Sequence, residues 1–311
     1  MKIVVTGALG HIGSRLIRTL PEFFPGCKIL MLDSMVTQRF CSLFDLPPSG
    51  NYSFLQGDMT KMNLSEALSG ADVVVHLAAL TDAEGSFGRA EELERNNFEA
   101  TRKISEACVE YGIKLIALSS TSVYGTQANA VDENCTEDEL NPQSPYATTK
   151  LKEERLVTQL SQNSGLKAVI FRFGTIFGTS PGMRFHTAVN KFCWQAVMGM
   201  PLTVWKTAYD QKRPYLDLSD AIRSIVFVID KNMFDGKIYN VVTSNSTVRD
   251  VVSSIGAQIS NLKVEFVDSP IMNQLSYEVL NTRLLQAGFT FEGNFAKGIS
   301  ETIALLRQAN K

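Results

Sequence analysis

Short runs of β-branched and other apolar residues alternate with longer stretches of helical periodicity in the first half of the chain. This alternation is typical of βαβ units, whose strands form a parallel sheet. It predicts an α/β fold with a doubly wound parallel sheet. The strands are predicted over residues 2–6, 28–32, 52–56, 73–77, 114–119 and 168–172. A helix is predicted over residues 11–20, where Pro21 and then Pro25-Gly26 are expected to end it, and two long helices are predicted over residues 90–111 and 145–161.

The spacing of apolar positions becomes less regular after residue 178. Helices are predicted over 185–199 and 220–229, and strands over 201–205, 213–218, 237–242 and 263–267. We therefore expect two regions in the chain. The first comprises residues 1–178, with residues 211–244 returning to it. The second is smaller and discontinuous, and comprises residues 179–210 and 245–311.

Composition and charge exclude several classes of protein. The formal net charge of −2 gives no overall basic field, so nucleic acid is not an expected partner. No stretch of about 18 apolar residues is present, and no long apolar run precedes the first glycine, so we expect no membrane span and a cytoplasmic location. The five cysteines and three histidines are scattered, which predicts neither a disulfide framework nor a metal site.

A glycine-rich loop follows the first predicted strand and opens the first predicted helix, with glycines at positions 7, 10 and 13. Glycine allows the backbone to approach a pyrophosphate, and the helix start offers free N–H groups to it. His11 and Ile12 lie within this loop and belong to the predicted site. Asp33 ends the second strand, where a carboxylate binds the adenosine ribose and repels a 2′-phosphate. The sequence therefore predicts a dinucleotide cofactor and favours NAD over NADP.

Tyr146 and Lys150 are four residues apart on a predicted helix, and residues at this spacing share one helix face. The ammonium favours the phenolate, so we expect the pKa of Tyr146 to fall toward neutrality and the phenol to act as a general acid or base. The polar run Ser119–Ser122 ends the fifth strand and offers a hydroxyl partner. These residues predict proton transfer coupled to hydride transfer.

Together, these segments resemble the extended short-chain dehydrogenase/reductase superfamily, and within it the nucleotide-sugar epimerase/dehydratase branch that includes UDP-glucose 4-epimerase. The resemblance covers nearly the whole chain. It rests on six segments, at residues 6–13, 57–58, 76–79, 119–125, 146–150 and 172–178. It implies that the first region is an NAD-binding Rossmann domain and the second a substrate-binding region. It also implies a homodimer that pairs through the helices at 90–111 and 145–161.

The resemblance implies a role for each matching position. The implied catalytic residues are Tyr146 as base, Lys150 as its charged partner and as a ligand of the nicotinamide ribose, and Ser120 as a hydrogen-bond partner of the sugar oxygen. Further cofactor contacts are expected at Asp58, Met59, Leu77, Ala78, Ala79, Asn97 and Ser119. Substrate contacts are expected at Thr81, Thr121, Ser122, Thr175, Arg184, Asn190, Trp205 and Arg213. Arginines 184 and 213 are expected at the diphosphate, and Trp205 on the nucleotide base.

Departures from the family pattern narrow the expected reaction. Dehydratases of this branch carry Asp-Glu after the catalytic Ser or Thr, and this chain has Thr121 and Ser122 there. Hydroxyls lack the basicity for that elimination, so dehydration is disfavoured. The family Asn after the Arg-Phe strand is replaced by Gly174 and Thr175, which puts that substrate contact in doubt.

The leading hypothesis is an NAD-dependent nucleotide-sugar epimerase. It oxidises C4 and returns the hydride to the opposite face of the sugar. A nucleotide-4-keto-sugar reductase or a nucleotide-sugar dehydrogenase on the same scaffold is the alternative, and a non-catalytic NAD-sensing module is a remote one. The sequence leaves the nucleotide and the sugar open.

Overall fold

A seven-stranded parallel sheet forms the centre of the structure. The computed structural model describes residues 1–81, 88, 90–268 and 276–309. The strands are β1 (Lys2–Thr6), β2 (Lys28–Asp33), β3 (Asn51–Gln56), β4 (Val73–His76), β5 (Lys114–Ser120), β6 (Ala168–Phe173), β7 (Thr175–Phe177), β8 (Leu202–Trp205), β9 (Lys212–Asp217), β10 (Ile238–Val241), β11 (Ser244–Thr247) and β12 (Val264–Val267). The central sheet has the order β10-β6-β5-β4-β1-β2-β3, and all its pairs are parallel. This is the doubly wound Rossmann order with one added strand, and it confirms the predicted fold class.

Helices cover both faces of this sheet. The helices of the described residues are α1 (His11–Phe23), α2 (Leu64–Leu68), α3 (Ala90–Tyr111), α4 (Pro145–Ser164), α5 (Ala188–Val197), α6 (Leu218–Asp230), α7 (Val248–Gly256), α8 (Thr282–Gln286) and α9 (Phe295–Arg307). Of these, α5, α7 and α9 pack in a separate core away from the central sheet. Successive side chains of a strand point to opposite faces, so Ile3 and Val5 pack in one core and Val4 in the other. The first core includes side chains from α1 and α6, and the second includes side chains from α2, α3 and α4. Burial on both faces explains the continuous apolar runs of the strands.

The prediction that Pro21 ends the first helix was wrong. Helix α1 continues through Pro21 to Phe23. A proline inside a helix leaves the carbonyl four residues earlier without its N–H donor. Here that carbonyl belongs to Ile17, and the phenol of Tyr52 donates to it at 3.1 Å. The side chain from β3 therefore supplies the hydrogen bond that Pro21 cannot make.

The second half of the chain forms two small sheets. Strands β11, β9 and β7 form one, and β12 and β8 form the other. Strand β10 joins the central sheet, whereas β9 does not. Leu284 and Phe289 pack in the first core although they lie in the segment 245–311. The division of the chain into two regions stays a prediction. None of the helices in the described ranges combines the length and the apolar character that a bilayer span requires.

Candidate active site

A cavity of about 440 Å³ opens at the carboxyl ends of the central strands. In doubly wound sheets this edge holds the ligand, because the chain reverses its strand order there. Tyr146, Lys150 and Ser120 all line this cavity. The predicted catalytic residues, which come from α4 and from the end of β5, are therefore brought together.

The glycine loop connects β1 to α1 and has no space for a side chain at Gly7 or Gly13. Gly7 has a φ of +64°, and a Cβ there would lie 2.7 Å from the backbone nitrogen of Ala78. A Cβ on Gly13 would lie 2.4 Å from the carbonyl oxygen of Gly7. The N–H of Gly10 donates to the same oxygen at 3.0 Å, which closes the turn. The loop therefore presents bare backbone at the start of α1, as pyrophosphate binding requires.

Asp33 ends β2 beside this loop. One of its carboxylate oxygens accepts from the N–H of Leu9 at 3.1 Å, and the other from the N–H of Met35 at 2.9 Å. The carboxylate is thereby fixed at the loop with lone pairs left for a ribose. Sequence reasoning missed Arg39, whose guanidinium lies 3.8 Å from the position of a Cβ on Gly10. Burial lowers the pKa of Arg39, and the nearby Asp33 acts against that lowering. A guanidinium donor therefore stands at the phosphate-binding turn.

The other predicted cofactor residues occupy varied environments. The carboxylate of Asp58 accepts from the N–H and the hydroxyl of Thr60, so it caps its own turn. Met59 is buried. The side chain of Asn97 binds both backbone groups of Leu80, which fixes the chain after β4. Three further predicted residues, Leu77, Ala78 and Ala79, follow β4, and of these Leu77 and Ala79 line the cavity.

His11 and Ile12 also line the cavity. The Nε2 atom of His11 lies 2.9 Å from the carbonyl oxygen of Gly178, and burial lowers the pKa of His11 to about 4. The imidazole is therefore neutral near pH 7 and donates to that carbonyl. This contact ties the cofactor loop to the segment that follows β7.

Helix α4 begins at Ser144, whose hydroxyl accepts from the N–H of Ala147. This cap and Pro145 at the first helical position fix where Tyr146 enters the helix. One turn later, Lys150 is buried and donates to the carbonyl of Leu118 at 2.9 Å and to Glu153 at 2.8 Å. The expected phenol and ammonium therefore lie one turn apart on the cavity wall.

The expected fall in the pKa of Tyr146 was wrong for the protein alone. Burial raises the pKa of this phenol, Lys150 lowers it, and Glu153 raises it again, with a net rise. The sequence argument counted the ammonium of Lys150 and omitted both the desolvation and the carboxylate that pairs with that ammonium. The phenol is therefore protonated near pH 7 until a further positive charge enters the cavity.

The hydroxyl groups of the polar run Ser119–Ser122 lie in different environments. Ser120 accepts from the N–H of Ser122 at 3.2 Å and from its hydroxyl at 2.9 Å, so its own proton is available for a ligand. Thr121 is buried and lies 3.4 Å from both the carbonyl of Phe173 and the phenol of Tyr277. The hydroxyl of Ser119 is buried and makes no hydrogen bond within the described part of the chain.

The predicted substrate residues mostly line the same cavity. Thr81, Thr175, Arg184, Trp205 and Arg213 do so, together with Thr121 and Ser122. The Nε atom of Arg213 is buried and has no hydrogen-bond partner among the described residues. A buried donor without a partner costs free energy, which an anionic ligand would recover.

Asn190 is the exception among the predicted substrate residues. Its side chain is fully buried, accepts from the N–H of Gly178 at 3.4 Å and donates to the carbonyl of Arg184 at 3.0 Å. It therefore fixes the segment that carries Arg184, and its direct contact with a substrate stays a prediction.

Sequence reasoning missed several residues of the cavity. Lys191 on α5, Thr203 on β8, Tyr215 on β9 and Tyr277 all line it. Their contribution depends on how the small sheets pack, which no local pattern signals. Among the described residues that line the cavity there is no Asp or Glu, while four are Lys or Arg. The cavity is cationic in a chain of net charge −2, which suits an anionic ligand.

A family model described as the NAD dependent epimerase/dehydratase family matches residues 3–241. The chain belongs to this family.

Uncharacterized UDP-glucose epimerase YtcB of Bacillus subtilis is 32% identical, over 82% of this chain and 81% of the relative. A trifunctional UDP-glucose 4,6-dehydratase/UDP-4-keto-6-deoxy-D-glucose 3,5-epimerase/UDP-4-keto-L-rhamnose-reductase of Arabidopsis thaliana is 30% identical over 97% of this chain and 46% of the relative, so the chain spans about half of that enzyme. A crystal structure of UDP-glucuronic acid 4-epimerase from Bacillus cereus, in complex with UDP-glucuronic acid and NAD, has a TM-score of 0.88 and 26% identity, and the match covers 99% of this chain and 100% of the other.

Members of the NAD-dependent epimerase/dehydratase family are enzymes, and the cofactor of this chain is NAD. The residues of the loop and the cavity fit that cofactor. The backbone of Gly7 and Gly13 leaves no space for a Cβ, and the carboxylate of Asp33 stands beside the loop that the pyrophosphate would approach. These residues would hold the adenosine half, while Tyr146 and Lys150 face the part of the cavity where the reacting half would lie.

Proposed function

We propose that this protein is an NAD-dependent nucleotide-sugar 4-epimerase. The observation that carries the proposal is the cavity wall around Tyr146, Lys150 and Ser120, where the described lining includes hydroxyl groups and cations and no carboxylate. This wall has a base, a charged partner and a hydroxyl donor for one sugar oxygen. Among its described residues it has no carboxylate that would remove a proton from a neighbouring carbon.

Each catalytic side chain has a defined task in this proposal. Tyr146, as the phenolate, takes the proton of the C4 hydroxyl as the hydride leaves C4, and the Ser120 hydroxyl donates a hydrogen bond to the same oxygen. Lys150 stabilises the phenolate by its charge and binds the nicotinamide ribose. Bound NAD supplies the hydride acceptor at C4 and afterwards the hydride donor. Its positive nicotinamide also adds the cation that the raised pKa of Tyr146 requires.

The cations farther along the cavity support a nucleotide diphosphate as the substrate anchor. The buried Nε of Arg213 has no partner within the described ranges, and a guanidinium binds phosphate oxygens through paired hydrogen bonds. Arg184 and Trp205 line the same cavity and are proposed to contact the diphosphate and the base. Such an anchor at one end leaves the sugar free to rotate at the other, which a 4-epimerase needs to present both faces of its keto-sugar.

Dehydration is the main competing reaction within the family. It requires proton removal at C5 and protonation of the C6 leaving group, for which carboxyl groups are suited. At the positions after Ser120 this chain has Thr121 and Ser122, and the hydroxyl of Thr121 lies against Tyr277 and the Phe173 carbonyl. These hydroxyls are far less acidic and basic than carboxyls. The wall therefore supports return of the hydride to the same carbon.

The test is turnover of a panel of nucleotide-sugars by the purified protein. UDP-glucose, UDP-glucuronic acid, dTDP-glucose and GDP-mannose are incubated with and without added NAD, and the sugar ring is followed by NMR. We expect one panel member to equilibrate with its C4 epimer without accumulation of NADH. A 4-keto-6-deoxy product would contradict the proposal in favour of dehydration. Conversion that requires added NAD and accumulates NADH would contradict it in favour of a dehydrogenase or of a keto-sugar reductase running in reverse.

A further inference from the structure

Lys150 is held by two of its three N–H donors. One donates to the carbonyl oxygen of Leu118 at 2.9 Å, and another to Oε2 of Glu153 at 2.8 Å. An ammonium has three donors and no acceptor. One donor is therefore left for the cavity that Lys150 lines, and the two fixed contacts determine where it points.

Glu153 lies three residues after Lys150 on α4, and both side chains are 6% exposed. Its Oε2 also accepts from the hydroxyl of Thr101 on α3 at 3.0 Å. Its other oxygen, Oε1, is buried and makes no hydrogen bond within the described residues. A buried carboxylate with one unsatisfied oxygen is a cost to the fold. This cost points to a role in the site rather than in stability.

The hydrogen bonds continue from Thr101 toward the cofactor loop. The hydroxyl of Thr101 has one proton, which it donates to Glu153, so it accepts from Nε2 of His76 at 3.2 Å. Burial lowers the pKa of His76 to about 3, so its ring is neutral and its Nδ1 accepts from the hydroxyl of Thr6 at 2.8 Å. Thr6 in turn accepts from the N–H of Ala78. All four donors point the same way, and the chain of contacts ends on the Glu153 carboxylate.

We infer that Glu153 is a positioning residue for the reaction: it aims Lys150 at the cofactor ribose and keeps the ammonium charged. Thr101 and His76 in turn anchor Glu153 to the strands beside the glycine loop. This inference rests on the role proposed for Lys150. It adds a residue that does not touch substrate or cofactor. The anchor joins α4, α3, β4 and β1, so the catalytic lysine is fixed relative to the cofactor-binding edge of the sheet.

The charges around Lys150 show that Glu153 favours the protonated form of this lysine. Burial acts to lower the pKa of Lys150, but Glu153 and Tyr146 outweigh it, and the net pKa is raised. Among the residues that the structure describes, the other ionisable groups acting here are His76 on β4, which is neutral, Glu154, whose carboxylate is paired with Arg172 on β6, and Arg184, whose charge acts on Tyr146. Of these groups, Glu153 is in direct contact with the ammonium, so no other carboxylate replaces it.

The decisive variant is Glu153→Gln, which keeps the size of the side chain and removes its charge. Without its counter-ion, the buried Lys150 should lose its proton about two pH units lower. The alkaline limit of kcat should move down by the same amount, with KM changed less than about threefold because no substrate contact is lost. The charge of Lys150 is read independently of activity by NMR titration of labelled lysine side chains, with its signal assigned from Lys150→Arg.

Two matched variants separate charge from structure. Glu153→Asp retains a carboxylate and should keep the alkaline limit near that of the wild type. Glu94→Gln removes the acid of an exposed ion pair between the same two helices, in which Glu94 and Lys152 lie 2.6 Å apart. It should leave both the pH profile and the titration unchanged.

Two results would overturn the inference. The first is a titration curve of Lys150 that is the same in Glu153→Gln and in the wild type. The second is the finding that Lys150 of the wild type is already neutral at pH 9. The second measurement needs no variant, so it decides the matter even when Glu153→Gln does not fold. A protein that turns over no panel sugar while its Lys150 behaves as expected would contradict the proposed function and leave the role of Glu153 in place.

Discussion

Replacing Tyr146 by Phe should reduce turnover by about 10³-fold while NAD remains bound. The substitution removes one oxygen, and with it the group that accepts the C4 proton. General acid–base groups contribute roughly 10²–10⁴-fold to rate, and no other described side chain of the cavity wall is a phenol or carboxylate placed next to Lys150. Loss of a single hydrogen bond costs about 1 kcal/mol, so NAD affinity should fall less than about tenfold.

The measurement is kcat on the panel sugar that the wild type converts, together with NAD binding by fluorescence. Tyr111→Phe is the matched control, because this tyrosine is 44% exposed at the end of α3 and lies outside the cavity. It should have wild-type activity. Turnover by Tyr146→Phe within tenfold of the wild type would show that another group removes the proton.

Replacing Arg172 by Met should reduce the free energy of unfolding by about 3–5 kcal/mol. Arg172 on β6 and Glu154 on α4 are 4% and 3% exposed, and two hydrogen bonds of 2.9 and 2.7 Å join them. The guanidinium also lies 4.8 Å from the centre of the Tyr124 ring. Removal of the cation leaves a buried carboxylate without a counter-ion, which is far more costly than loss of the pair as a whole.

The size of this effect is measured by urea unfolding at pH 7. The double variant Arg172→Met with Glu154→Leu replaces both charges by apolar groups of similar volume, and it should recover most of the lost stability. Arg155→Met is the control for an exposed pair, since Arg155 and Glu137 are 53% and 72% exposed, and it should cost less than about 1 kcal/mol. A double variant as unstable as Arg172→Met would show that the packing of Arg172 dominates over its charge.

The central strands could be predicted because parallel strands are buried on both faces and therefore have continuous apolar runs. Their predicted ends agree with the structure to within one residue, as in β1 and β4. Strands β7 and β11 were not predicted. Strand β11 is a polar run, Ser244–Thr247, that has no apolar pattern and is specified by its pairing with β9. Pro21 was misinterpreted because its compensating donor, Tyr52, comes from a distant strand.

In the candidate site too, features encoded within one segment could be predicted from the sequence, and features that depend on long-range packing could not. The glycine loop and the pair Tyr146 and Lys150 are encoded at fixed spacing within one segment each, so the sequence suffices to find them. Lys191 and Tyr277 reach the cavity through the packing of the smaller sheets, and no spacing rule indicates them. The raised pKa of Tyr146 depends on burial and on Glu153, and it becomes visible only when helices and strands are assembled.

The central claim is that one hydride leaves C4 and returns to it within the same active site. The most direct measurement uses the converted nucleotide-sugar with deuterium at C4, the purified protein, and no added cofactor. NMR then follows the label in the product. The proposal predicts that the C4 epimer forms with the deuterium retained at C4. Loss of the deuterium from C4, or its appearance at C6 of a keto product, would contradict it.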